Sequence, residues 1–345
     1  MMENVSGGLL ERLEQGPVIC AEGYLFELER RGYLQAGAFV PEVVLDHPEV
    51  VTQLHRDFVH AGSDVVEAFT YYAHREKMRI VGKEHLLEAL NRQALAIAKE
   101  VATESGALFA GDICNTNLFA DDEESRRMVR AMFEEQVGWA ADAGVDYVIA
   151  ETFSHVGEAL IALEVIKEAG YPAVVTLILH QAPVTRDGLT PAEACLRLEA
   201  AGADVVGLNC GRGPETLLPS LRAIREAVSG HVAALPVPYR THEHQPSFQS
   251  LRDPAHPDAI PFPTALDPFV CTRYEVADFA KEADELGIDY IGLCCGAAPH
   301  HIRSLAEALG RTPPGSRYSP DMSKHAYFGT DESLKAENVE FAKDL

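Results

Sequence analysis

Three cysteines are the residues most suited to chemistry in this sequence. Cys210 ends the apolar run VVGLNC, and Cys294 and Cys295 end the run YIGLCC. Free cysteines are often buried as small apolar side chains, and that interpretation stays open. The adjacent pair cannot easily form a disulfide, because neighbouring side chains on an extended strand point apart. Three thiolates brought together would fill three corners of a tetrahedron and leave the fourth open, as in catalytic zinc sites.

A zinc ion held by three thiolates suits one kind of reaction. The centre would carry net negative charge, which makes it a poor Lewis acid toward a carbonyl group. It would instead bind a substrate thiol and keep it as a nucleophilic thiolate near neutral pH. We therefore expect attack of a bound thiol on an alkyl group, particularly one carried by a cationic donor. No His-x-His pair follows the first predicted strand, which disfavours a zinc hydrolase.

The elements around these cysteines predict an α/β fold, a (β/α)8 TIM barrel. Apolar runs that indicate strands alternate with amphipathic helices, at residues 17–23, 64–72, 108–116, 146–153, 172–179, 204–210, 231–239 and 289–295. Uniformly apolar strands indicate a parallel sheet that is buried on both faces, and strict alternation indicates β–helix–β units. An open doubly wound sheet is the alternative, but no GxGxxG loop follows the first run. In a barrel, all three cysteines would lie at the carboxyl ends of strands, where active sites form.

Composition and charge limit the setting of this barrel. We expect a barrel domain over residues 1–310 and an irregular, proline- and polar-rich tail over residues 311–345, with a short helix near its end. The net charge of −24 argues against nucleic acid or an anionic membrane surface as partners. No apolar run is long enough to span a bilayer, and no signal peptide is apparent. Seven cysteines in or near strands favour a reducing, cytoplasmic location.

Most of the chain, from about residue 9 to residue 310, resembles the homocysteine S-methyltransferase family, and its betaine-dependent members in particular. The resemblance is carried by FELERRGYLQAG, HPEVVTQLHRDFVHAGSDVVEAFTYYA, GLNC, LDPFVCTRYEV and YIGLCCGAAPHHIRSLAEAL. It implies a Zn2+ site made of Cys210, Cys294 and Cys295. It also implies transfer of a methyl group from a betaine-like onium donor to the thiolate of homocysteine, giving methionine.

The resemblance further implies a pocket for the methyl donor. A quaternary ammonium group is attracted to aromatic faces, and each contact contributes about 0.5–2 kcal/mol. We expect Tyr24, Phe39, Tyr71 and Tyr72 to form such a cage, although each of them alone could simply pack in the core. Phe39 stands where the betaine-dependent members have tryptophan. Tyr239, after the seventh predicted strand, is a candidate for binding the donor carboxylate.

The acceptor pocket departs from the pattern of the family. Glu151 matches the acidic residue that the family places beside both substrates, and we assign it a catalytic and substrate-binding role. The run Ala21-Glu22-Gly23 stands where the family usually has Asp-Gly-Gly. We expect Glu22 to take the place of the missing aspartate, with Gly23 beside it. Asn209, next to the first cysteine, is a candidate for supporting the zinc ligands.

Several alternatives remain for substrate and function. Thr152 stands where the betaine-dependent members have tyrosine, so the donor could instead be a sulfonium such as dimethylsulfoniopropionate or S-methylmethionine, or proline betaine. A different thiol acceptor is also open. Other classes are a redox or zinc-storage protein, a metal-free barrel lyase and a non-catalytic binding module for betaines. Part of the tail resembles an oligomerisation arm of the family, so we expect a homo-oligomer, either a dimer or a tetramer.

Overall fold

Eight parallel strands form the barrel that the alternating pattern predicts. The computed structural model describes residues 7–332 and 340–345. The strands are β1 (Val18–Ala21), β2 (Val65–Glu67), β3 (Leu108–Cys114), β4 (Tyr147–Phe153), β5 (Ala173–Leu177), β6 (Val205–Asn209), β7 (His231–Leu235) and β8 (Tyr290–Leu293). Apart from the first residue of β7, every strand residue is buried. This burial is why the strands appear in the sequence as continuous apolar runs.

The order of the strands around the ring is β1-β8-β7-β6-β5-β4-β3-β2, with every recorded ladder parallel. Strands β6 and β8 therefore flank β7, as the sequence predicts for the two cysteine-bearing strands. Asp64 makes two of the hydrogen bonds that close the seam between β1 and β2. The backbone N–H of Asp64 donates to the carbonyl of Ile19 at 2.8 Å, and the N–H of Ile19 donates to Asp64 Oδ2 at 2.8 Å.

Helices alternate with the strands around the outside of the barrel. They are α1 (Leu9–Leu13), α2 (Tyr24–Arg30), α3 (Val43–Asp46), α4 (Pro48–Ala61), α5 (Arg75–Ile80), α6 (Leu87–Ser105), α7 (Glu123–Ala143), α8 (Val156–Glu168), α9 (Pro191–Ala200), α10 (Pro214–Ala227), α11 (Arg273–Glu285) and α12 (Pro299–Ala308). The start of α9 confirms the predicted cap. Thr190 accepts a hydrogen bond from the N–H of Glu193, and Pro191 occupies the first turn.

The long loop over residues 240–268 folds across the carboxyl ends of the strands. The N–H of Phe248 donates to the carbonyl of Gly211 at 2.8 Å, which ties the loop to the residue after the first cysteine. The rings of Phe248 and Phe262 meet edge to face with centroids 5.0 Å apart. This loop therefore supplies two aromatic walls to the face of the barrel on which the cysteines lie.

The tail is irregular over the residues that the structure describes. It contains short 3-10 segments at Pro314–Tyr318, Met322–Lys324 and Ala342–Asp344. Residues 333–339, where much of the expected terminal helix falls, lie outside the described residues. The division of the chain at residue 310 stays a prediction. Within residues 7–332 and 340–345, no helix is both long and apolar enough to cross a membrane.

Candidate active site

The three cysteines singled out in the sequence come together at the carboxyl ends of β6 and β8. The Sγ atoms of Cys210, Cys294 and Cys295 all lie within 4.8 Å of one another. All three are free thiols; Cys210 and Cys294 are buried and Cys295 is partly exposed. A trio of free sulfurs, of which two are buried and one is partly exposed, fits the ligand set of a zinc ion with a free fourth position.

Tight backbone turns hold the sulfurs in place. Cys210 has φ of 55° and Gly211 has φ of 65°, so the chain turns sharply as β6 ends. On the other strand, the N–H of Cys294 donates to the carbonyl of Pro236 at 3.0 Å. Gly296 follows with φ of 94°, and a Cβ there would collide with the phenol ring of Tyr239. The glycine of Cys-Cys-Gly is therefore required by both its conformation and its neighbour.

The thiols influence one another's protonation. Hydrogen bonds from the thiols of Cys294 and Cys295 lower the pKa of Cys210 well below its usual value. Burial raises the pKa of Cys294 well above its usual value. One thiolate is thus favoured among the three sulfurs, and a divalent cation would favour the thiolate form of all three.

An outer cavity of about 260 Å3 opens above the trio. Cys210 and Cys295 lie at its wall, and so do the aromatic residues Phe26, Phe39, Tyr71, Tyr72, Phe119, Phe248 and Phe262. The Tyr71 and Tyr72 rings have centroids 4.4 Å apart. Lys77 Nζ lies 4.6 Å from the centroid of the Tyr72 ring. The cavity thus combines aromatic faces, which attract a cation, with two sulfurs.

Backbone strain is concentrated around this outer cavity. Among the described residues, the non-glycine residues with positive φ are Phe39, Tyr72, Asn117, Thr152 and Cys210, with φ between 55° and 63°. All five line the outer cavity. Such conformations are costly for residues with a side chain, and they persist where the surroundings hold them for a function. This clustering makes the cavity a candidate functional site on grounds independent of any resemblance.

An inner chamber of about 20 Å3 lies on the other side of the trio. Its wall contains four buried acids, Glu22, Glu67, Asp112 and Glu151. Burial raises the pKa of Glu151 to about 7. Burial, together with the neighbouring carboxylates, also raises the pKa of the other three acids well above the usual range. Each of those three has a carboxylate oxygen with no hydrogen-bond partner among the described residues.

Asn209 links the acids to the sulfur trio. Its side-chain N–H group donates to Glu151 Oε2 at 2.5 Å and to Glu22 Oε2 at 3.3 Å, and it lies 3.9 Å from the sulfur of Cys294. Its Oδ1 accepts the N–H of Thr152 at 3.0 Å. The amide therefore fixes the orientation of two carboxylates beside one sulfur, which is a supporting position of the kind expected for it.

The two cavities meet at the cysteines. Cys210 lines only the outer cavity, Cys294 lines only the inner chamber, and Cys295 lines both. Tyr71 and Thr152 are also shared by the two walls. The sulfur trio is thus part of a partition between an aromatic space and an acidic space.

The structure places the other predicted residues as follows. Phe39, Tyr71 and Tyr72 line the outer cavity, whereas Tyr24 lines the inner chamber and packs against His55 with ring centroids 4.8 Å apart. Gly23 lines neither space, and its missing side chain lets the backbone approach Ala297.

Tyr239 is fully buried and also lies outside both walls. Its hydroxyl accepts a hydrogen bond from Arg30 at 2.7 Å, and its ring packs against the turn at Gly296. Tyr239 therefore supports the cysteine turn from behind, and the structure does not place it in either cavity as the sequence prediction requires.

Sequence reasoning missed several residues of the site. Glu67 and Asp112 are acids inside the otherwise apolar runs DVVEAFTYY and LFAGDICNT, and an acid in a buried strand is itself a signal that could have been used. Phe248 and Phe262 belong to the long loop, where no periodicity indicates which side chains face inward. His180 and Arg186, in the loop after β5, also line the outer cavity.

Comparison with known proteins identifies the family of this chain. The family model described as homocysteine S-methyltransferase matches residues 18–309. The chain belongs to the homocysteine S-methyltransferase family. It is 38% identical to betaine–homocysteine S-methyltransferase 1 of Xenopus tropicalis over 338 residues, which cover 94% of this chain and 80% of that protein. It is also 38% identical to an S-methylmethionine–homocysteine S-methyltransferase of Mus musculus over 330 residues, which cover 94% of this chain and 86% of the mouse protein.

Solved structures agree on the fold. The metallated form of the Escherichia coli homocysteine methyltransferase MmuM superposes with a TM-score of 0.66, covering 85% of this chain and 97% of that one at 19% identity. The oxidized form of the same enzyme gives a TM-score of 0.65 at 18% identity. The predicted family and barrel are both confirmed.

Proposed function

We propose that this protein is a zinc-dependent methyltransferase that moves a methyl group from a small onium donor to the thiol of homocysteine, giving methionine. The observation that carries the proposal is the position of the sulfur trio between an aromatic cavity and an acidic chamber. A cationic donor is suited to the aromatic side, and an acceptor with an ammonium group is suited to the acidic side. Membership of the family supports the same reaction.

Cys210, Cys294 and Cys295 would hold the Zn2+ ion, since their sulfurs converge and Cys295 is partly exposed. When bound there, zinc supplies a lowered pKa for an acceptor thiol, so that the thiol is a nucleophile near neutral pH. Asn209 holds Glu151 and Glu22 in place beside this centre. We propose that Glu151 accepts a hydrogen bond from the ammonium group of the acceptor.

The chain's own residues serve the transfer by orientation and exclusion of water. Phe39, Tyr71 and Tyr72 would hold the onium group with one methyl directed at the acceptor sulfur. In the transfer, a new sulfur–carbon bond forms and the bond between methyl and the onium atom breaks, with its electron pair passing to that atom. A thiolate and a cation become two groups of lower charge, and a desolvated cavity favours such a step.

We favour a betaine-like donor, as in the amphibian relative named above. The mouse relative, with the same identity to this chain, is named for S-methylmethionine. A sulfonium donor is therefore the second candidate for this chain.

We also propose that the protein is cytoplasmic and forms a homo-oligomer. All seven cysteines are free thiols, which supports a reducing compartment. In the tail, Tyr318, Met322 and Phe328 are exposed apolar side chains, which supports burial against another subunit.

Metal analysis combined with a methionine assay tests the proposed function. We expect the purified protein to contain about one zinc per chain and to form methionine from homocysteine with at least one of glycine betaine, proline betaine, dimethylsulfoniopropionate and S-methylmethionine. Cys210→Ser should lose both zinc and activity. Cys195→Ser is the matched control, because Cys195 is a buried free cysteine outside the trio. Full activity in a metal-free protein would falsify the zinc-thiolate mechanism.

A further inference from the structure

One edge of the outer cavity carries basic side chains that the proposed reaction has not used. His155 follows β4, and His180 and Arg186 belong to the loop after β5; all three line the cavity. The two loops are joined at Ser154. Its hydroxyl lies 3.0 Å from His180 Nε2, and its carbonyl accepts the N–H of Arg186 at 2.8 Å. These two contacts hold the two neighbouring loops together at the basic edge.

The base of this edge is held from a third loop. Arg212, after β6, donates from Nη2 to the carbonyl of His180 at 2.9 Å and to the carbonyl of Gln181 at 3.0 Å. Arg212 is buried, so its guanidinium is committed to these carbonyls. Arg186 itself is exposed and remains available to a molecule in the cavity.

Arg186 has no counter-ion among the residues that the structure describes. Among the residues that the structure describes, its guanidinium makes no ion pair and no side-chain hydrogen bond, although the chain has a net charge of −24. The adjacent Asp187 is already engaged, because its Oδ2 accepts the N–H groups of Val156 and Gly157 at 2.8 and 3.2 Å, at the start of α8. Burial lowers the pKa of His155 and of His180, so Arg186 carries the positive charge of this edge at neutral pH.

We propose that Arg186, with His180 and His155, forms an anion subsite that binds the carboxylate of the methyl donor. This inference rests on the proposed function and assigns each end of a zwitterionic donor to its own residues, with the onium group among the aromatic side chains and the carboxylate at the basic edge. A guanidinium matches a carboxylate with two parallel hydrogen bonds, and the neutral histidines add N–H donors. An onium compound without an anionic group would leave this edge unpaired.

Titration calorimetry on the zinc-loaded protein, with and without homocysteine, tests the subsite without turnover. The probes are glycine betaine and choline, which share a trimethylammonium group and differ in having a carboxylate or a hydroxyl. We expect glycine betaine to bind at least about tenfold more tightly than choline, because a charge-assisted hydrogen bond is lost with the carboxylate. Arg186→Gln should weaken glycine betaine about 10- to 100-fold and change choline binding less than about threefold.

Arg127→Gln is the matched control, since Arg127 is an exposed arginine on α7 away from both cavities. It should leave the affinity for both probes unchanged. Equal weakening of the two probes by Arg186→Gln, or no weakening of glycine betaine, would overturn the subsite. A different outcome is that glycine betaine binds more tightly than choline, this preference depends on Arg186, and the protein forms no methionine. That outcome would overturn the proposed function and leave the subsite standing.

Discussion

Four carboxyl groups share one small space inside the barrel. The carboxylate oxygens of Glu67, Asp112 and Glu151 lie within 4.8 Å of one another, and those of Glu22 and Glu151 lie within the same distance of the sulfur of Cys294. Ionising four buried acids that lie so close together costs both mutual repulsion and lost hydration, which is why their pKa values are raised. The chamber is therefore costly in an empty protein, and a cationic group that enters it relieves this cost.

Glu67→Gln tests that cost. Burial and the neighbouring acids raise the pKa of Glu67 well above 4.5, so the folded state binds more protons than the unfolded state between the two pKa values. The stability contributed by this group is present at low pH and is lost as the pH rises. We expect Glu67→Gln to raise the free energy of unfolding at pH 8 by at least about 1 kcal/mol, with a smaller difference at pH 5. Urea unfolding at both pH values measures this.

The control for this change is Glu226→Gln, since Glu226 is an exposed glutamate on α10. It should shift stability by less than about 0.5 kcal/mol at either pH. If the Glu67→Gln protein is equally stable or less stable than the natural chain at pH 8, then burying Glu67 beside the other acids carries no net cost.

Single residues differ in how far the sequence predicts them. The three cysteines could be predicted, because each ends an apolar run and the barrel brings strand ends together. The convergence of the acids could not, because it depends on which face of each strand points inward. The position of Tyr239 could not be predicted for the same reason, since the side chain of a residue after a strand can point into the cavity or away from it.

At the scale of elements, the turn after β8 positions two of the three sulfurs. It is enclosed from behind by Tyr239, which is itself held firmly because Arg30 donates to its hydroxyl and Phe248 stacks on its ring with centroids 5.9 Å apart. Arg30 also donates to the carbonyl of Gly296 at 3.2 Å. The turn is thus fixed by a helix, a strand end and the long loop together.

Gly296→Ala should disturb the metal site through this turn. The new Cβ would need both an unfavourable positive φ and space that the Tyr239 ring fills. Gly287→Ala is a matched control, because Gly287 has φ of 74° and a Cβ added there would meet no atom within 4 Å. We expect the control to cost about 1 kcal/mol and Gly296→Ala about 1–3 kcal/mol more, with reduced zinc content. Equal costs, or full zinc content in both variants, would contradict the role of the turn.

The elements themselves could largely be predicted, but their lengths could not. The second run, 64–72, yields a strand of only Val65–Glu67. Beyond it, the chain makes a turn at Thr70. The N–H of Thr70 donates to the carbonyl of Ala68 at 2.7 Å, and its hydroxyl donates to the carbonyl of Asp112 at 2.7 Å. This local turn carries Tyr71 and Tyr72 toward the cavity, and tertiary hydrogen bonds of this kind leave no periodic signal in the sequence.

On the scale of the whole molecule, the seam between β1 and β2 depends on a residue from the far end of the chain. Arg311 Nη1 lies 2.5 Å from Asp64 Oδ2, and its Nη2 donates to the carbonyl of Pro17. Asp64 in turn accepts the N–H of Ile19. One arginine at the start of the tail therefore secures the closing point of the barrel.

Arg311→Gln should lower the stability of the entire barrel. We expect a loss of about 1–3 kcal/mol in the free energy of unfolding, because a charge-assisted hydrogen bond to Asp64 and a bond to a backbone carbonyl are removed. Arg317→Gln, a change at an exposed arginine of the tail, should have little effect. Urea unfolding followed by circular dichroism measures both, and an unchanged midpoint in Arg311→Gln would show that the seam holds without it.

The fold class could be predicted from the sequence because eight apolar runs admit few arrangements. The contribution of residue 311 could not, since the predicted boundary at residue 310 separates it from the barrel that it stabilises. Arg311 and Asp64 are far apart in the sequence, and they come together only when the barrel has closed.

The arrangement of the two cavities also sets the path that small molecules take. Of the residues around the inner chamber, only Tyr71 and Cys295 are not buried, and both belong to the outer wall as well. The route from solvent into the chamber therefore runs through the aromatic space. A molecule in that space would block the route, and we therefore expect the inner chamber to be filled before the outer cavity and emptied after it.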